Sequence, residues 1–119
     1  RKQTPASGIN QSTQERENSK IQINRIIQEM NFEFTENAWE EFEFWIETDQ
    51  DIVLKIKELL KDIKRNPFQG IGKPEPLKYD LKGYWSRRIT GEHRLVYKVD
   101  GKKGANQKCF VIQCRFHYD

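Results

Sequence analysis

Long apolar runs are missing from this sequence of 119 residues. None approaches the ~20 residues that cross a membrane, and no charged-then-apolar leader opens the chain. A cytoplasmic protein without a membrane partner is the expectation. Sulfur and imidazole are scarce as well, with two cysteines, one methionine and two histidines. No His/Cys or carboxylate cluster has the spacing of a metal site, so no metal or other cofactor is expected. Cys109 and Cys114 fall on one predicted strand, on opposite faces. Five residues of strand separate them by ~16 Å, too far for a disulfide. They read as small buried hydrophobes. Residues 1–29 contain no aromatic side chain and are rich in Gln, Ser, Asn and Thr. Residues 1–18 read as a loosely held tail, whereas Ile23, Ile26, Ile27 and Met30 at helical spacing predict a short helix near 19–29. Met30 is the only methionine and stands where the globular pattern begins. It suggests a natural start, with 1–29 as an upstream extension and 30–119 as the folded domain.

Charge is abundant, and it is unevenly placed. Charged residues make up 33% of the chain and hydrophobic ones 35%, so the core must be small. Residues 30–70 hold 10 acidic and 5 basic side chains, while 71–118 hold 4 acidic and 11 basic. A basic half built from strands suits a polyanion, although the two halves could also simply neutralise each other.

Periodicity gives the elements. Residues 31–34 predict a strand. Thr35 can cap a helix in which Ala38, Trp39, Phe42, Trp45 and Ile46 form one apolar face. Thr48 or Asp49 can cap a second helix, whose stripe is Ile52, Val53, Ile56, Leu59, Leu60 and Ile63. Asn66-Pro67 ends it, because proline disfavours helix in the residue before it. A loop with three prolines follows over 67–77, then strands near 84–90, 94–99 and 108–118, with a long turn at 100–107. Two helices followed by a strand meander imply an α+β domain, the helices packed on one face of a small antiparallel sheet.

Strand alternation sorts the side chains. Leu95, Tyr97 and Val99 should face the helices, as should Phe110, Ile112, Cys114 and Phe116. Arg94, Arg115 and His117 should then project from the open side, with Val111 and Gln113 on that same side. A three-residue hairpin loop, Gly91-Glu92-His93, would set Thr90 opposite Arg94 and bring Arg88 to the open face, whereas a two-residue loop, Gly91-Glu92, would put the two arginines on opposite faces. Three-residue loops with a glycine are common, which favours the first. Arg87 would then point inward, toward a helix carboxylate. His93 reads as a hairpin residue and Trp85 as core. What remains is a carboxylate between two prolines (Glu75), several arginines, and a histidine beside a tyrosine (His117, Tyr118). Those groups suffice for RNA cleavage without a metal.

The segments Asn66-Pro67-Phe68, Gly70-Ile71-Gly72-Lys73-Pro74-Glu75-Pro76-Leu77-Lys78, Trp85-Ser86-Arg87-Arg88-Ile89-Thr90, Glu92-His93-Arg94-Leu95-Val96-Tyr97 and Cys114-Arg115-Phe116-His117-Tyr118 stand in an order that resembles the YoeB (Txe) branch of the RelE-like bacterial toxins. Trp39, Trp45 and Glu47-Thr48-Asp49 match as well, so the resemblance spans about residues 30–118. It implies a small microbial-RNase-like fold, ribosome-dependent mRNA cleavage, and neutralisation by a YefM-like antitoxin, and it allows a homodimer. It also implies Glu75 as general base, His117 as general acid and Arg94 as the transition-state arginine, with Lys78, Arg88 and Tyr118 in support. The chain departs from the family in Asp119 after Tyr118, in the length of the turn at 100–107, and in residues 1–29. A silent member that only binds antitoxin or ribosome, or a nuclease held inactive by residues 1–29, are the alternatives that the sequence leaves open.

Overall fold

The computed structural model describes residues 30–117; the helix expected near 19–29, Tyr118 and Asp119 lie outside them. Strand β1 (Asn31–Phe34) leads into helices α1 (Glu36–Thr48) and α2 (Gln50–Arg65). The two-residue strand β2 (Glu75–Pro76), a 3-10 turn (Tyr79–Leu81), and strands β3 (Trp85–Arg88), β4 (Arg94–Lys102) and β5 (Ala105–Gln113) follow. Both helix starts are made as the sequence suggests. Thr35 Oγ1 accepts the Ala38 N–H at 3.1 Å. Asp49, rather than Thr48, caps α2, its carboxylate accepting from Asp51 and Ile52 N–H at 3.1 and 3.3 Å. Lys64 and Arg65 occupy the last turn of α2, where cations suit the helix dipole, and Asn66 closes it.

The sheet order is β1-β5-β4-β3-β2. Neighbours from β2 to β5 pair antiparallel, but β1 runs parallel to β5. The sheet is therefore mixed and mostly antiparallel. Parallel pairing needs a long crossover, which α1, α2 and the intervening strands supply. The helices cover one face. Ala38, Trp45, Ile56, Leu59 and Ile63 pack there with Leu95, Tyr97, Cys109, Val111 and Cys114.

The alternation expected for β5 is corrected by a bulge. Val96 pairs with Gln113 and Tyr97 with Val111, so Ile112 has no partner of its own. An extra residue reverses the side-chain parity across it. Cys109 and Val111 point into the core before the bulge and Cys114 after it, in place of Phe110 and Ile112. The two cysteines thus share a side rather than opposing each other. Both are free and buried, and burial pushes each thiol up to about 12. They stay protonated and act as apolar filling. The long turn at 100–107 is also shorter than expected: β4 and β5 extend until Lys102 pairs with Ala105, and Lys103-Gly104 closes the hairpin, with Gly104 at φ +79°.

Arg87 does point inward, and its partner is Asp62 of α2. The guanidinium is fully buried. Nε donates to the Tyr97 hydroxyl at 3.1 Å, Nη1 to Asp62 Oδ2 at 2.6 Å and Ile71 O at 3.1 Å, and Nη2 to Asn66 O at 2.7 Å and Gln69 O at 3.0 Å. All five donors of the group are used. Gly70 must be glycine here: its φ is +129°, and a Cβ would collide with Asp62 Oδ2.

Hydrogen bonds from Arg65, then Arg87 and the Ile71 N–H, hold the Asp62 carboxyl down at about 2. Its ordinary value is 3.8. A depressed carboxylate stabilises the fold above the ordinary value, and that contribution drains away as pH falls toward 2. The melting temperature of the wild type should therefore drop between pH 4 and 2. Asp62→Asn should be less stable at pH 7 and lose less over that interval; parallel acid titrations of the two would refute the assignment.

Candidate active site

Strand register fixes the site. Glu75 pairs with Ser86, Ser86 with Val96, and Val96 with Gln113. These four form one row across β2, β3, β4 and β5, and directly paired residues share a face. Leu95 and Tyr97 face the helices, so the row lies on the opposite, open face. Arg88 pairs with Arg94 two residues further along β3 and β4. Glu75, Arg88 and Arg94 therefore lie on the same face, with Ser86 and Val96 buried between them. Strand spacings of ~4.8 Å and ~3.4 Å per residue set the Glu75 and Arg88 backbones roughly 8 Å apart, within reach of one small group.

The hairpin that delivers the arginines differs from the expected one. Arg88 itself, not Thr90, stands opposite Arg94, and residues 89–93 form the loop. Thr90 moves into that loop because its Oγ1 accepts the N–H groups of Glu92 and His93, both at 3.1 Å. The shared face of Arg88 and Arg94 survives, since both loop lengths preserve it. The two differ in setting. Arg88 is exposed, whereas Arg94 is only 8% exposed. Arg94 Nη1 donates to Thr90 O at 2.8 Å and to Gly91 O and His93 O at 3.2 Å each. The loop carbonyls thus hold one end of this guanidinium in place.

Glu75 is exposed on β2, between Pro74 and Pro76, which narrow its backbone freedom. Leu77 N–H bonds Tyr84 O at 2.9 Å and closes the chain toward β3. Lys78 is exposed and opens the 3-10 turn that follows. Residues 75–81 line an open pocket of about 350 Å³, with Tyr79 at φ +57° on its rim. His117 is exposed, one residue beyond Phe116, whose carbonyl accepts the Arg94 N–H at 3.0 Å. The turn that leads to His117 is thereby tied to the backbone of Arg94.

Arg115 does not join the open face. The strand ends at Gln113, and the Arg115 guanidinium lies 3.6 Å from the centre of the Phe44 ring on α1. Residues that sequence reasoning missed hold this segment. Trp45 Nε1 donates to Cys114 O and Glu41 Oε1 accepts the Cys114 N–H, both at 2.8 Å. His93, expected only to shape a hairpin, accepts the Phe116 N–H on Nδ1 at 2.8 Å. An indole on an otherwise apolar helix face was the one sequence signal, since a buried indole N–H needs an acceptor. Of the basic turn, Lys108 pairs with Glu33 at 3.6 Å and Lys103 reaches Arg65 O at 3.4 Å. Among the described residues, no group of His, Cys, Asp or Glu is placed to hold a metal ion. No described helix is long and apolar enough to cross a membrane.

Comparison with known proteins agrees with this architecture. A family model described as the YoeB-like toxin of bacterial type II toxin-antitoxin systems matches residues 34–118. Toxin YoeB of Escherichia coli K12 is 51% identical over 89 residues, covering 75% of this chain and all of that protein. Among solved structures, a YoeB/ParE toxin from Agrobacterium tumefaciens is 55% identical, with a TM-score of 0.70 over 75% of this chain and all of the other. A Staphylococcus aureus YoeB-YefM complex matches at 44% identity and a TM-score of 0.66, over 75% of this chain and 98% of the toxin. The chain therefore belongs to the YoeB-like toxins of bacterial type II toxin-antitoxin systems.

Proposed function

We propose that this toxin is a metal-independent endoribonuclease that cuts mRNA on the ribosome. The observation that carries the proposal is the placement of Glu75, Arg88 and Arg94 on one open sheet face, with the segment bearing His117 bonded to Arg94. RNA brings its own nucleophile, the 2′-hydroxyl. Glu75 takes its proton, the oxygen attacks the adjacent phosphorus, and the bond to the 5′ oxygen breaks as His117 protonates that oxygen. Negative charge grows on the non-bridging oxygens meanwhile. Arg94, held by its loop, meets that charge without reorganising. Arg88 and Lys78 add positive charge at the edge, and Tyr118 stacks on a base or donates a hydrogen bond.

A YefM-like antitoxin is the proposed partner, alongside the ribosome and its message. The S. aureus YoeB-YefM complex supports the first, and a S. aureus YoeB dimer supports self-association. Such a protein acts in the cytoplasm. End mapping on a translated message tests the chemistry. Attack by the 2′-hydroxyl leaves a 2′,3′-cyclic phosphate and a 5′-hydroxyl. A 5′-phosphate product would remove the mechanism.

A further inference from the structure

The segment that carries His117 lies beyond the last strand, yet it is held at every residue. Glu41 and Trp45 bracket the Cys114 peptide group. The Arg115 guanidinium sits 3.6 Å from the Phe44 ring centre and 4.4 Å from that of Phe116. Phe116 has both backbone groups bound: its carbonyl accepts from Arg94 N–H at 3.0 Å and Gln113 Nε2 at 3.1 Å, and its N–H donates to His93 Nδ1 at 2.8 Å. The residue needs such anchoring. Its φ is +66°, a left-handed conformation that a bulky side chain adopts only when its surroundings enforce it.

His93 is the one anchor supplied by a titratable ring. Its side chain is 14% exposed, wedged edge-on against Trp45 at 4.8 Å and beside the Phe116 ring at 6.0 Å. Because a backbone N–H donates into Nδ1, that nitrogen carries no proton, and the ring proton sits on Nε2. Nε2 is 3.9 Å from Glu92 Oε1. The same residue's carbonyl accepts from Arg94 Nη1 at 3.2 Å. One residue therefore touches both the arginine and the turn that leads to His117.

We infer that His93 is a positioning residue for the cleavage site, its Nδ1 locking the left-handed turn at Phe116 so that His117 is delivered beside Arg94. The inference rests on the proposed role of His117 as proton donor. It differs from a packing role in that a ring of the same shape without an acceptor should fail, while a smaller side chain that keeps the acceptor should serve. His93→Phe retains the ring and loses the acceptor. His93→Asn retains an oxygen close to the place of Nδ1.

The test is steady-state cleavage of a defined message on programmed ribosomes by the full chain. His93→Phe should lower kcat at least about tenfold with KM within about twofold, and His93→Asn should return kcat to within about threefold of wild type. Amide exchange gives a readout that needs no activity: the Phe116 N–H should be protected in wild type and His93→Asn and exchange freely in His93→Phe. Wild-type kcat in His93→Phe, equal impairment of both variants, or an unprotected Phe116 amide in the wild type would each overturn the inference. His117→Gln is run beside them. If it cleaves at full rate, the proposed acid falls and takes this inference with it. If it is inactive while His93→Phe is not, only the inference falls.

Discussion

Glu75→Gln should cut the rate of message cleavage by about 10³-fold and leave folding untouched. Glutamine matches glutamate in size and cannot accept the 2′-hydroxyl proton. Glu75 is exposed, on a two-residue strand, outside the core, so the melting temperature should not move. His117→Gln should lose a similar factor for a different reason, since it removes the proton given to the departing oxygen. A message with sulfur in place of the bridging 5′ oxygen separates the two. A thiolate leaves without help from an acid, so the sulfur substrate should rescue His117→Gln and not Glu75→Gln. Rescue of both, or of neither, would reverse or cancel the assignment of roles. Arg94 is a poorer probe. Its guanidinium also ties together the carbonyls of residues 90, 91 and 93, so its removal mixes lost charge with a loosened loop.

The parts of this fold governed by local rules could be read from the chain. Both helices, the caps at Thr35 and Asp49, the stop at Asn66-Pro67 and the stripe from Ile52 to Ile63 all follow from neighbours a turn apart. The inward aim of Arg87 was legible too, because strand parity next to Arg88 required it. Non-local pairing was less legible. The bulge at Ile112 exists because β4 and β5 pair out of step there, and no single-strand pattern reveals its partner's register. That one residue set Val111 and Cys109, in place of Phe110 and Ile112, on the core side. The anchoring of the chain's end by Glu41, Trp45 and His93 joins residues 73, 69 and 23 positions apart. Their local patterns announce a helix face and a hairpin, and nothing more. At the site, the shared face of Arg88 and Arg94 was accessible to parity reasoning, whereas Glu75 falls in a segment that reads as loop and reaches that face only by pairing with Ser86. The loop that fixes Arg94 depended on Thr90 folding back on its own hairpin.

Replacing Arg87 by leucine should destabilise the domain by about 3–5 kcal/mol, the usual cost of stripping one partner from a buried ion pair. For a domain of this size that is a fall on the order of 20 °C in melting temperature. Leucine fills much of the space and donates nothing. Asp62 would lose its buried partner and keep Arg65 and the Ile71 N–H. The carbonyls of Asn66, Gln69 and Ile71 would lose their donors together. Asp62→Asn also strips a buried charge of its partner, but it leaves Arg87 bonded to Tyr97 and to the carbonyls of Asn66, Gln69 and Ile71, so the loop stays tied. The functional consequence reaches beyond stability. Residues 66–71 lead directly to Gly72, whose carbonyl accepts the Arg88 N–H at 2.7 Å, and then to Glu75. With Arg87 gone, that stretch is free to shift, and Glu75 with it. Arg87→Leu should therefore lose cleavage activity even at temperatures where it remains folded, while Asp62→Asn keeps most of it. Equal loss in the two variants would mean that this network does not act through the seating of the Glu75 loop.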